Sequence, residues 1–207
     1  MTKHIKYLVA LTVLHAVIFA AGCDADDPPC GDFFAKFRVT DLFLDELRLD
    51  DSGTLFGGEP LAESDVVAYD SLVLNIGVDS EGIAHHQVGS FMSAAYACTV
   101  LQPTDPVDTV TSIEVYATVQ TEPGSFEAEE LVTENFDVTS INNESFELLT
   151  RESLTQFNQR DNPASLQYFI QLNTAPTEVV NVRYRIVFRF NERSPIGLTT
   201  QLMNISP

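Results

Sequence analysis

His85 and His86, in the run Gly82-Ile83-Ala84-His85-His86-Gln87, are the only imidazoles after His15. Imidazole carries protons and binds metals near neutral pH. Neighbouring residues on a strand point to opposite faces, so this pair suits an exposed loop or hairpin end better than one shared ion. The adjacent carboxylates Asp45 with Glu46, and Glu129 with Glu130, have the residue type of glycosidase chemistry. That mechanism is defined by a separation in space that adjacency does not supply, and they read as solvated charge. No G-x-S-x-G elbow is present, since Gly89-Ser90-Phe91 lacks the second glycine. There is also no CxxC pair and no Cys/His spacing of a zinc site. Among ions calcium fits best, because Asp41, Asp45, Glu46, Asp50 and Asp51 offer hard oxygens, although without the D-x-[DN]-x-[DN]-G order of an EF-hand. No catalytic residue and no resident cofactor is expected.

One stripe of charge stands out. Arg183, Arg185 and Arg189 alternate with Val182, Tyr184, Ile186, Phe188 and Phe190, which places three arginines on one face of one strand. Such a stripe either presents a surface to an anionic ligand or acidic partner, or pairs across strands with carboxylates such as Glu114.

The elements that must position these groups are mostly strands, because the dominant period is two. Phe33, Ala35, Phe37 and Val39 form one apolar face; Leu72, Leu74, Ile76 and Val78 form another. Ile113, Val115, Ala117 and Val119 form a third, and Leu166, Tyr168, Ile170 and Leu172 a fourth. A last strand is expected over Leu198 to Ile205, after the turn containing Pro195 and Gly197. Helical signals are few: Thr150 to Arg160, with Thr150 as N-cap and Leu154 and Phe157 inward, and one turn within Asp41 to Asp50. Seven to nine strands with turn-rich connections predict a mainly β chain, a single antiparallel β-sandwich of broadly immunoglobulin-like character with one or two short helices.

The first 32 residues read differently. Lys3 and Lys6 precede an apolar stretch from Tyr7 to Ala21, broken only by Thr12 and His15, and Ala20-Ala21-Gly22-Cys23 closes it. As a helix the stretch is about 22 Å long, short of the ~20 residues needed to span a bilayer core. This arrangement resembles the signal and lipobox of bacterial lipoproteins, with Ala20 standing where a large aliphatic residue is usual. The resemblance implies cleavage after residue 22, acylation of Cys23 and attachment to a membrane through that lipid. The chain then divides into a signal (1–22), a tether (23–32) and a β-sandwich domain (33–207). The tether, Asp24-Ala25-Asp26-Asp27-Pro28-Pro29-Cys30-Gly31-Asp32, resembles the acidic surface-export signals of Bacteroidota lipoproteins, which implies a surface-exposed position on the outer membrane; in an enterobacterial lipoprotein, Asp directly after the cysteine implies retention at the inner membrane instead. Lipobox, tether, the strand from Phe33 to Thr40, Ala94-Ala95-Tyr96-Ala97-Cys98 and the C-terminal strands together resemble, loosely, an uncharacterised Bacteroidota surface-lipoprotein family. That family carries no catalytic signature. Export would place Cys30 and Cys98 in an oxidising compartment, where they either pair or remain as a free thiol and a buried one.

Charge narrows the partners further. Beyond residue 22 there are 9 basic and 30 acidic residues, a formal charge of −21. That surface repels phosphate backbones, so no nucleic-acid partner is expected. At 44% hydrophobic residues with 14 Phe, the chain is nevertheless rich enough to pack a core. The expected function is a lipid-anchored, non-enzymatic binding or structural module at the bacterial surface, meeting an envelope protein or a glycan. The alternatives are an envelope hydrolase acting on glycans through paired carboxylates, and a fimbria-like subunit that donates a terminal strand between protomers.

Overall fold

Alternating apolar and polar residues carry most of the chain into strands, and these assemble as two sheets. The structure, a computed structural model, describes residues 36–49, 54–62, 65–83 and 105–207, all within the unit Ala35–Ile83 with Gln102–Pro207. In chain order the strands are β1 (Lys36–Arg48), β2 (Glu59–Pro60), β3 (Val66–Ala68), β4 (Leu72–Ile83), β5 (Asp105–Pro106), β6 (Thr109–Glu122), β7 (Ser125–Phe126) and β8 (Glu130–Leu131). After them come β9 (Phe136–Ser140), β10 (Glu152–Ser153), the helix α1 (Leu154–Phe157), β11 (Asn162–Pro163), β12 (Gln167–Leu172), β13 (Val180–Phe190), β14 (Ile196–Thr199) and β15 (Met203–Ser206).

The first sheet runs β10-β9-β12-β4-β1-β2, with β5 added to β1; the second runs β11-β6-β13-β15-β3, with β14 on β13 and β7 and β8 on β6. Pairing is antiparallel except for β5 on β1 and β3 on β15. Counting only principal strands and taking β14 with β15 as one, the sheets hold the fourth, fifth, second and first strands, and the third, sixth and seventh. That is the strand order of a constant-type immunoglobulin domain. The chain is therefore a mainly β, predominantly antiparallel sandwich.

The core lies between the sheets and is apolar. Phe37, Val39, Leu74 and Ile76 from the first sheet meet Ile113, Val115, Ile186 and Phe188 from the second. All five inward positions expected on β13 are buried in this cluster. Tyr168 and Phe188 make an edge contact with centroids 5.2 Å apart, a geometry favoured by the ring quadrupoles. Antibody domains place a cystine between the sheets; here β4 and β13 fill the interior with Leu74, Ile76, Tyr184 and Ile186.

Three expectations are corrected by the structure. The Asp41 to Asp50 region, expected to contain a turn of helix, continues β1 to Arg48. A bulge shifts the register between Val39 and Asp41, so the inward set passes from Phe37 and Val39 to Leu42 and Leu44, a phase change that resembles neither regular period. The bulge is held from both sides, since Val39 N donates to Asp108 Oδ2 (2.7 Å) and the Arg193 guanidinium donates to the carbonyls of Val39 and Thr40. The helix expected over Thr150 to Arg160 shrinks to α1, capped by Ser153 rather than Thr150, with Gln156 N donating to Ser153 Oγ at 3.3 Å. Leu154 and Phe157 face inward as expected. The last strand is two strands, because Thr200 turns in at the break: its hydroxyl accepts from Tyr184 N (2.9 Å) and its amide donates to Tyr184 O.

The outer face of the first sheet is also partly covered. Val73, Phe169 and Ile141 form a small buried cluster there, covered by Leu47, Leu49, Leu55 and Leu166, and Phe56 meets Phe169 edge-on at 5.3 Å. Beside it the Phe43 ring lies directly over Gly77, where a Cβ would sit 1.9 Å from the ring tip. β4 therefore buries Leu72, Val73 and Leu74 in succession, where alternation predicts one buried face.

Candidate functional site

The residues singled out by charge lie together on the outer face of the second sheet. Arg183, Arg185 and Arg189 project from β13 over β6, whose directly opposed residues are Thr118, Tyr116 and Ser112. The Pro123-Gly124 turn, with Gly124 at φ +85°, returns the chain from β6 into β7; that is the residue order and sign of a type II turn. It sets Phe126 beside Gln120 and brings the following acidic segment back over the same face, where Leu131 pairs with Tyr116.

A continuous ladder results. Arg185 Nε and Nη2 donate to Glu129 Oε1 and Oε2 (2.8 and 2.5 Å), and its guanidinium stacks over Tyr116 with Cζ 4.2 Å from the ring centroid. Tyr116 Oη donates to Glu114 Oε2 (2.8 Å). Glu114 also accepts two bonds from Arg189, at 2.7 and 3.0 Å. Bidentate, planar contacts of this kind are geometrically exacting. Arg183 differs from the other two, because its guanidinium rests on Phe126, 5.6 Å from the centroid, and no carboxylate among the described residues pairs with it.

The ladder displaces titration in one direction. The Arg189 guanidinium holds the Glu114 carboxyl below the ordinary value of 4.5, against the opposing effect of partial burial. Arg185 does the same to Glu129, and the Glu114 carboxylate pushes the Tyr116 phenol up. A carboxyl with a lowered folded pKa stabilises the fold above its unfolded pKa and loses that contribution as pH falls through the folded value. We expect thermal melts of the wild type and Glu114→Gln to differ most at pH 7 and to converge as pH drops below about 4.5 towards 3. High salt should also narrow the gap, since these are exposed pairs. A difference constant across that pH range would show that the ladder contributes no charge-dependent stability.

The other expected groups fare differently. Asp41 and Asp45 share the outward face of β1 with exposed Phe43 between them, a spacing of about 13 Å for four strand residues, and neighbouring strand position sends Glu46 to the opposite face, where it accepts from Gln201 N at 2.9 Å. The strand thus separates the oxygens expected to suit calcium. Among the described residues no group of three or more His, Cys, Asp or Glu side chains could hold a metal ion. Cys23, Cys30, Cys98, His85, His86, Asp50 and Asp51 lie outside the described residues, as do residues 1–32, where the signal and tether are expected. Among the described residues no helix is long and apolar enough to cross a membrane.

Strand donation requires an open edge or a missing strand. The edge of β6 is occupied along its length: β11 pairs at Thr109 and Val110, Asn158 bonds both backbone groups of Ile113, Thr133 accepts from Val115 N, and β8 and β7 pair beyond. The seven principal strands are all present.

The chain matches no protein-family model, no curated protein and no solved structure.

Proposed function

We propose that the protein is a lipid-anchored component of the bacterial cell envelope, held at the outer surface through Cys23, and that its sandwich works as a non-enzymatic binding or structural module. The contact surface is the outer face of the second sheet, and the partner is an envelope protein or glycan that brings a carboxylate to it. The observation that carries this proposal is the asymmetry of the stripe. Arg185 and Arg189 are engaged by Glu129 and Glu114, whereas Arg183 lies on Phe126 with no carboxylate among the described residues to neutralise it. A guanidinium already oriented by an aromatic ring loses less freedom on meeting a planar anion. The displaced carboxyls on this face are held ionised, the reverse of what a general acid at neutral pH requires.

Monomeric galacturonate, a single carboxylate on a sugar ring, serves as the probe at 0.15 M salt, where charges beyond roughly 8 Å are screened, because a polyanion would meet the repulsion of the −21 formal charge. Arg183→Ala is expected to weaken its binding at least about fivefold, the loss of one charge-assisted contact. Arg185→Ala should matter less, because its guanidinium already serves Glu129. Equal effects of the two substitutions, or none from either, would sink the proposal that this face recognises carboxylates.

A further inference from the structure

The core buries two tyrosines deeply, Tyr168 at 1% and Tyr184 at 6% exposure. They are treated differently. Tyr168 Oη accepts a hydrogen bond from Ser165 N at 2.8 Å, whereas Tyr184 Oη finds no hydrogen-bond partner among the described residues. Tyr184 sits edge-on against Phe136, centroids 5.1 Å apart, and burial pushes its phenol pKa upward.

Among the described residues no fully enclosed side-chain oxygen or nitrogen lacks a partner, so the Tyr184 oxygen is within reach of a water-sized molecule. The space that Tyr184 lines is a cavity of about 150 Å³ where β12 hands over to β13. Its walls are chiefly apolar, from Leu172, Val180 and Ile205 with Ala175 and Pro176 of the connection. Two further polar residues line it. Asn135 has a carboxamide with no hydrogen bond among the described residues, and the Thr174 hydroxyl donates to Asn173 Oδ1 at 2.9 Å, which leaves it able to accept. None of the lining residues is charged.

The volume sets the size of an occupant, since an apolar cavity of about 150 Å³ takes a benzene-sized molecule. The recess is partly open, with Thr174 and Ala175 exposed at its rim, and the lack of charge sets the occupant's neutrality, because an ion would meet no counter-charge among the lining residues. The polar groups set its functionality: one oxygen, hydroxyl or carbonyl, on an otherwise apolar body. We propose that this cavity is a binding site for a small neutral ring or branched molecule of about six heavy atoms carrying one oxygen, with Tyr184 Oη as its hydrogen-bond partner. The site is separate from the arginine ladder, because Tyr184 points into the core while Arg183 and Arg185 on either side of it point out.

Phenol and benzene are the probes, because they share a ring and differ by the hydroxyl. Both are titrated into the full chain and followed by backbone amide NMR shifts, up to about 20 mM, well beyond the ~1 mM range expected of weak fragments. Saturable shifts should appear at Leu172, Ala175, Val180 and Ile205. Tyr184→Phe should weaken phenol about fivefold to tenfold, as one hydrogen bond warrants, and leave benzene within about twofold. The same substitution should keep or raise the melting temperature, since no bond within the protein is lost. Ala175→Phe, at an exposed position of the connection, should block both probes. The proposal is overturned by the absence of saturable shifts with either probe, by equal weakening of both in Tyr184→Phe, or by a clear fall in that variant's melting temperature.

Discussion

Phe188→Ala should destabilise the protein by about 3–5 kcal/mol, the range for removing a fully buried aromatic side chain from a core that cannot collapse to fill the space. Phe188 is at 0% exposure on β13, the strand that pairs with β6 on one side and with β14 and β15 on the other. Its ring lies against Tyr168 of the opposite sheet and stacks with Phe190, centroids 6.4 Å apart. The substitution therefore removes contacts across the sandwich and along the strand at once. Set against a typical total of about 5–15 kcal/mol, the loss is a large share of the stability. In urea, with a slope of roughly 2 kcal/mol per molar, the midpoint should fall by about 2 M while the slope stays unchanged. Phe126→Ala is the matched control, because Phe126 is 44% exposed on the outer face; it should cost less than about 1 kcal/mol. Equal midpoints for the two variants would contradict the inward placement of Phe188.

Cys23→Ala should abolish incorporation of labelled palmitate and move the protein from the carbonate-washed membrane fraction to the soluble one. The physical reason lies in the acyl chains, each CH₂ contributing about 0.8 kcal/mol when buried, so that two chains anchor stably where one does not. Beyond residue 22 the chain carries a formal charge of −21, which disfavours adhesion to anionic lipid headgroups. Palmitate labelling that survives the substitution would overturn acylation at Cys23. Retention in the membrane with residues 1–22 still attached would point instead to an uncleaved N-terminal anchor.

Much of the sandwich is legible in the residues because alternation has a physical cause. Successive side chains of a strand point to opposite faces, so Val182, Tyr184, Ile186, Phe188 and Phe190 can be assigned to the interior, and the arginines between them to the surface, from order alone. Two kinds of feature are not legible this way. The bulge before Asp41 reverses the phase of β1, and nothing in Leu42, Leu44 and Leu47 announces it, because the groups that satisfy the bulge come from Asp108 and Arg193, 69 and 154 residues from Val39. Likewise Val73 and Phe169 are buried on an outward face because Leu47, Leu49, Leu55 and Leu166 pack against them and Phe56 meets Phe169 edge-on.

The candidate site divides along the same line. Glu114 is readable as a cross-strand partner, since β6 and β13 carry the clearest alternation and their acids and arginines face the same way. Glu129 is not, because its position depends on where the chain returns after the Pro123-Gly124 turn. Local sequence determined what a local reader can use: the strand period, the outward arginine stripe, and the lipobox-like approach to Cys23, which is an expectation about a linear motif. Tertiary structure alone decided which arginine keeps its charge unengaged and which buried tyrosine lacks a protein partner among the described residues, because both depend on atoms brought within about 3 Å by distant segments. No spacing along the chain encodes that distance.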